Sequence, residues 1–320
     1  MTPSPDIRLA RRRDLLAAPD YRRVRRHVRE GTWQRIAPGV FAHRADWLAL
    51  KPLERHRLRV EEVAHRLEPG AVLSHFAAAA IHGIDLLGAW PDAVEVTIER
   101  ATGGRSGGAV ARRALGLAGV ERVPFGTHEV TTPAQTALDL ARALPFVRAV
   151  SAIDQAIWTG RPGGPLTTKA EILALLDGDA PRRGDARARR AIEAAEPLAA
   201  NARETQMRLL VISLGFPRPR LQERRVLRSG RVAYGDLYFP DQDHWVEIDG
   251  RGKYLSPEYA SDRDPSEIVI DEKNRENEIR REVRGFTRFE ATDADDSRYV
   301  YDVLAADGMR STKPRPARRR

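Results

Sequence analysis

The stretch WVEIDGRGKY at residues 245–254 sets Glu247 and Asp249 two positions apart. Alternate side chains of an extended strand share one face, so two carboxylates project together beside a glycine turn. The segments RVAYGDLYF, PDQD and HWVEIDG read as strand, turn and return strand. Centring this hairpin between Asp241 and Gln242 predicts Asp236 opposite Glu247, Leu237 opposite Val246 and Tyr234 opposite Asp249. One face then carries Asp236, Glu247 and Asp249, and the other carries Leu237, Phe239, Val246 and Ile248. Directly opposed residues have Cβ atoms roughly 4.5–5.5 Å apart, where like charges destabilise the pair. A divalent cation relieves that repulsion, and hard carboxylate oxygens suit Mg2+ or Mn2+. Asp236 and Glu247 are the expected metal ligands. A solvated acidic face is the alternative.

Glu204 joins this set from a helix. In NARETQMRLLVISLGF it falls at helical spacing with Met207, Val211 and Leu214, so it borders a buried stripe. Asn201 to Glu204 also has capping-box spacing, which suits a cap, a site, or both.

A different chemistry is patterned near the start of the chain. In DYRRVRRHVRE, Arg22, Arg25, Arg26 and Arg29 fall at i, i+3, i+4 and i+7, on one helix face. Tyr21, Val24 and Val28 lie on the other side and can pack inward. Arg35 follows in TWQRIAPGVFAHR, a hairpin turning at Pro38-Gly39. Such a stripe suits a phosphate-lined groove, and duplex DNA is the expected partner. A merely solvated helix face is the alternative.

Several elements must position these residues. DIRLARRRDLLAA reads as a first helix, and Asp20 as the cap of a second that ends at Gly31. Helix, helix, hairpin is the order of a winged helix-turn-helix, expected over residues 1–50. A middle domain over 51–177 holds the Ala-rich helix LSHFAAAAIHGIDLLG, the strand AVEVTIE and the helices TTPAQTALDLARAL and VRAVSAIDQAIW. Its glycine-rich loop RATGGRSGG matches no phosphate-loop spacing. His75 and His82 stand among apolar residues without a matching acid, so they read as core or surface histidines. Residues 178–190, GDAPRRGDARARR, read as a linker or a loosely held helix start, 191–305 as a second compact unit, and 306–320 as a basic, disordered tail. The fold class expected is α/β (α+β).

The bulk numbers agree with a globular chain. Of 320 residues, 42% are hydrophobic and 31% charged, and the net charge of +9 points to an acidic partner such as nucleic acid. The absence of cysteine excludes disulfides, thiolate zinc sites and cysteine nucleophiles, and suits a cytoplasmic protein. No apolar run approaches membrane-spanning length.

Two resemblances follow from these motifs. A helix Glu, then Asp-x10-Glu-x-Asp-Gly over a hairpin, then Lys-Tyr, then a helix beginning EKNRE, resembles the endonuclease-like domains related to the very-short-patch repair nuclease. These belong to the PD-(D/E)xK superfamily, and the resemblance covers about residues 199–292. It implies a mixed sheet flanked by helices, with Asp236 and Glu247 on Mg2+, Asp249 in support, and Glu204 as outer ligand or base. In that family a lysine stands two residues after the second acid. Here Asp249 takes the position, which leaves Lys253 or Lys273 as the relocated cation. The implied activity is hydrolysis of DNA phosphodiesters through a metal-activated water. The N-terminal segments VRRHVREGTWQRIAPGVF, LSHFAAAAIHGI and TTPAQTALDLARAL resemble the AbiEi-type antitoxins of abortive-infection systems. That family implies a winged helix, transcriptional autoregulation and a nucleotidyltransferase-type toxin as partner. A metal-dependent endonuclease is therefore the first reading, and a non-enzymatic DNA-binding regulator or antitoxin with a degenerate nuclease fold is the second.

Overall fold

The computed structural model of the protein describes residues 7–13, 18–99, 108–178, 180–249 and 265–318. Helices and mixed or antiparallel sheets make it an α/β chain of the α+β kind. It divides into two compact units, Met1–Ile157 with Arg161–Ala195, and Trp158–Gly160 with Glu196–Arg320. Among the described residues no helix is long and apolar enough to cross a membrane. The glycine-rich loop lies outside the described residues up to Gly108.

The first unit opens with a strand where a helix was expected. β1 (Leu9–Arg11) pairs antiparallel with β3 (Val40–His43), which also pairs with β2 (Trp33–Ala37). The reason is tertiary. β3 would otherwise present an unpaired ladder edge, and Arg11 in the strand reaches Glu62 at 2.7 Å. Residues 14–17 of the expected helix lie outside the described residues. α1 (Ala18–Arg29) starts two residues before Asp20, and its Val24 is buried as the helical spacing predicts.

Beyond the hairpin come α2 (Arg44–Ala49), α3 (Pro52–Ala64), β4 (Val72–Leu73), α4 (His75–His82) and β5 (Val94–Thr97). One apolar core joins Ile36, Val40 and Trp47 to Leu58, Leu73 and Val94. The first 50 residues thus share a core with the middle region instead of forming a separate domain. β6 (Val110–Arg113), β7 (Arg122–Phe125) and β8 (His128–Thr131) complete a five-stranded sheet of order β6-β5-β4-β8-β7. α5 (Pro133–Ala143), α6 (Phe146–Ile157) and α7 (Lys169–Gly178) follow.

His75 takes a positive φ of 51° at the strand-to-helix turn. Its Nδ1 meets Ser74 Oγ at 3.0 Å, which in turn accepts from Thr97 Oγ1 at 2.9 Å. His82 reaches the Thr131 carbonyl at 2.7 Å. Both histidines are therefore occupied by structural bonds.

Of the two readings of 178–190, the helix start is the one that forms, from Asp185 on. α8 (Asp185–Ala194) buries Ala188, Ala191 and Ile192, and Asp185 accepts from Arg142 Nε at 2.8 Å. The unit boundary falls after Ala195 instead.

In the second unit, α9 (Ala202–Ser213) leads into β9 (Arg220–Val226), β10 (Val232–Phe239) and β11 (His244–Asp249). α10 (Pro265–Glu282), β12 (Gly285–Glu290) and α11 (Ser297–Ala306) follow. The sheet order is β12-β11-β10-β9, with β12 parallel to β11 and the other pairs antiparallel. Met207 and Val211 of α9 and Val300 and Leu304 of α11 pack with Leu237, Phe239, Val246 and Ile248. A second cluster holds Tyr238, Trp245 and Phe286 together with Ile279 of α10. The tail is held instead of disordered as far as Arg315. Thr312 N donates to Gly215 O at 2.9 Å, Lys313 Nζ to Ser213 O at 2.9 Å, and Arg315 pairs with Asp302. These contacts satisfy carbonyls that the end of α9 leaves open.

His56 of α3 is fully buried beside Trp90, with ring centroids 5.2 Å apart. Burial, aided by the nearby Arg59 charge, lowers its pKa to about 4. The unfolded ring, with its ordinary value near 6.5, takes a proton first as pH falls. The stability that depends on neutral His56 is therefore complete above about pH 6.5 and declines toward pH 4, by about 1.4 kcal/mol per pH unit for one proton. His56→Phe is expected to lower by about one the protons taken up on unfolding in that window. Urea midpoints measured across pH 4–7 check this.

Candidate functional site

The acidic hairpin forms with the expected register at its turn. Leu237 pairs with Val246, Tyr238 with Trp245 and Phe239 with His244. The turn is a short 3-10 segment, Pro240–Gln242, closed by Asp243 at φ 46°. Beyond Leu237 the expected pairing stops. Tyr234 pairs with Arg224 of β9, not with Asp249, and its side chain is exposed.

The side-chain alternation of β10 breaks at Asp236. A Cβ on Gly235 would lie 2.6 Å from the Trp245 indole, and Ala233 packs in that same cluster. Leu237 and Phe239 belong to the opposite layer. Across the pair, Gln222 of β9 has φ 49°, the local distortion that allows the break. Irregularities of this kind re-aim a side chain. The Asp236 carboxylate is turned into the ladder, where Oδ2 accepts the Ile248 N–H at 2.7 Å. Its Oδ1 accepts from Gln222 Nε2 at 3.3 Å, and the same amide approaches Glu204 Oε2 at 3.5 Å.

Glu204 is a cap in this arrangement. Asn201 Oδ1 accepts from the Arg203 and Glu204 amides at 2.9 and 3.0 Å. Glu204 returns the bond by accepting from Ala200 N at 2.8 Å and Asn201 Nδ2 at 2.6 Å. Gln222 then links this cap to Asp236.

Glu247 and Asp249 meet arginines. Arg275 Nη2 of α10 lies 3.0 and 3.1 Å from the two oxygens of Glu247. Arg288 of β12 clasps Asp249 with two bonds, Nε to Oδ2 at 2.5 Å and Nη2 to Oδ1 at 3.0 Å. The same guanidinium gives Nη1 to Glu276 at 2.6 Å. Burial pushes the Glu247 carboxyl upward, although Arg275 and Arg288 pull the other way. Glu272, held by Arg275, is shifted down. Lys273 is exposed on α10, off the stripe of Glu272, Arg275, Glu276 and Ile279 that meets the sheet. Lys253 lies outside the described residues. Among the described residues, no group of three His, Asp or Glu side chains is arranged to hold a metal ion. Both Glu247 oxygens and both Asp249 oxygens already face guanidinium nitrogens. This donor set does not fit a divalent ion as it is held here.

The arginine stripe is divided. A groove of about 910 Å3 is lined by Arg12, Arg13, Arg25, Arg29, Arg35 and Arg66, with Val28, Pro38, Gly39 and Phe41 between them. Arg25 and Arg29 come from α1, Arg35 from β2, and Arg66 from just beyond α3. Gly39 has φ 68° at the hairpin tip, and its carbonyl accepts the Arg12 N–H at 2.8 Å. Arg22 and Arg26 are exposed on α1 but do not line the groove, and Arg26 lies 3.8 Å from Glu30. The helical spacing finds Arg25 and Arg29. Nothing local in the sequence marks Arg66, which arrives through the packing of α3.

No family model matches this chain. It is similar to two uncharacterized Mycobacterium tuberculosis proteins, MT2308 of strain CDC 1551 and Rv2248 of strain H37Rv. Each is 32% identical over 111 residues, which is 35% of this chain and 39% of the relative. The chain therefore spans well under half the length of these curated relatives, whose names state no activity.

Asp236→Ala removes the acceptor of a buried strand N–H and is expected to cost about 1–3 kcal/mol. Asp236→Asn keeps an acceptor oxygen and is expected to cost less. Urea unfolding of both variants checks the order.

Proposed function

We propose that this protein binds duplex DNA through the arginine groove of its first unit and acts as a DNA-binding regulator. The observation that carries this reading is the groove lining itself. It holds six arginines, and no carboxylate stands among the described residues that line it. A guanidinium is planar and permanently charged, and it forks onto phosphate oxygens. Helix α1 and the tip of the β2–β3 hairpin border the groove, so a phosphate backbone can pass between helix and wing. Contacts of this type position a duplex without reading its sequence. The winged-helix architecture and autoregulation implied by the AbiEi-type resemblance fit this role, and a nucleotidyltransferase-type toxin would be its protein partner. The cytoplasm would be its setting.

The endonuclease reading requires Asp236 to leave the Ile248 N–H, and Glu247 and the supporting Asp249 to turn from arginine to metal. Their ion pairs favour the regulator reading.

Arg25→Ala, Arg29→Ala and Arg66→Ala are each expected to reduce the log–log salt slope of duplex binding by about 0.9. Arg22→Ala and Arg26→Ala are expected to change it less. Fluorescence anisotropy with a labelled duplex over a salt series measures both sets. Unchanged slopes in all three groove variants would overturn the reading.

A further inference from the structure

The second unit poses a charge problem that its geometry answers. Glu247 and Asp249 project from β11, and Glu272 and Glu276 from the facing side of α10. Four carboxylates at this density repel one another, most strongly at Glu247, which is 6% exposed. Arg275 stands one helical turn from Glu272, with Nε to Oε2 at 3.0 Å and Nη2 to Oε1 at 2.7 Å. Its Nη2 also bonds Glu247 at 3.1 Å. Arg288 is the Cα partner of Glu247 in the parallel β11–β12 pair. It reaches past that partner to clasp Asp249, bonds Glu276 at 2.6 Å and meets Glu272 at 3.4 Å. Arg280 supplies a third cation, with Nε to Glu276 Oε1 at 2.8 Å. Three guanidiniums thus answer the four acids.

We infer that Arg275 and Arg288 stand in the electrostatic place of a divalent cation, so that the acidic constellation is a metal-independent clasp joining β11, β12 and α10. Two observations carry this independently. The acids and arginines are cross-linked, since each arginine bonds at least two acids. The bridges also span elements far apart in sequence, with Asp249 and Arg288 separated by 39 positions. A metal site has its liganding acids facing an ion. Here the same acids face fixed, planar donors, which cannot lose their protons and so cannot yield to a metal by titration.

The inference does not rest on DNA binding, and its test does not involve DNA. The full chain in chelator is unfolded thermally as wild type, Glu247→Gln and Asp249→Asn. In a clasp, each substitution breaks a charge-assisted bond, and the midpoint of the transition falls by roughly 4 °C or more. In a metal site kept without metal, each substitution relieves repulsion, and the midpoint holds or rises. The second measurement is the electron paramagnetic resonance signal of free Mn2+ titrated with wild type and with Arg275→Met/Arg288→Met. Wild type is expected to leave the free-ion signal unchanged. The double variant is expected to unfold at lower temperature and to deplete the signal as its bared acids take up Mn2+. Stoichiometric Mn2+ uptake by wild type, lost in Glu247→Gln, would overturn the inference. So would level or raised midpoints for both acid variants in chelator, and that result stands even if the double variant fails to fold.

Discussion

A guanidinium keeps its proton at every pH a folded chain meets, so each arginine must be matched by negative charge or water where it stands. Arginine pairs with acids in both units, as Arg11 does with Glu62 in the first, but two places in the fold, one in each unit, answer the constraint differently. In the second, Arg275 and Arg288 are matched by acids of their own chain, and the charge closes inside a sheet–helix junction. In the first, six arginines are gathered around one groove whose described lining holds no acid. One residue type closes a junction in one place and lines a groove in the other. What separates the roles is where the fold puts its carboxylates.

That placement was legible in the sequence only where it depends on local spacing. The hairpin turn could be read, because apolar residues alternate on both sides of PDQD and set Leu237 against Val246. The face of Asp236 could not be read. Its direction depends on a positive φ at Gln222 and on an indole from β11 filling the space beside Gly235. The partners of Glu247 and Asp249 were equally hidden, since they arrive on α10 and on a parallel strand beyond it. A parallel pairing needs a long crossover, and the residue that crossover delivers has no signature in the strand it joins. The spacing of Asn201 and Glu204 was the opposite case, because a cap is local and its geometry follows from a separation of three positions.

The N-terminal misreading has the same origin. Leu9–Arg11 lies in a stretch whose periodicity suits a helix, yet it extends a hairpin. A three-residue strand has little propensity of its own to oppose the ladder edge that β3 offers. At residues 185–194 the balance ran the other way. The charged run over 178–190 suits a linker or a loose helix start, and Ala188, Ala191 and Ile192 give α8 the narrow apolar edge that decides for the helix.

The shared core of the first unit bears on how binding would register as heat. Ile36, Val40 and Trp47 beneath the groove belong to one packed cluster with Leu58, Leu73 and Val94. A basic arm that folds onto its target buries fresh apolar surface, and its association shows a large negative heat-capacity change and an ordering cost. This platform has buried that surface before any polyanion arrives. Under the proposed DNA binding, complex formation would carry a binding enthalpy almost flat with temperature, and its driving force would be the entropy of small ions leaving the polyanion.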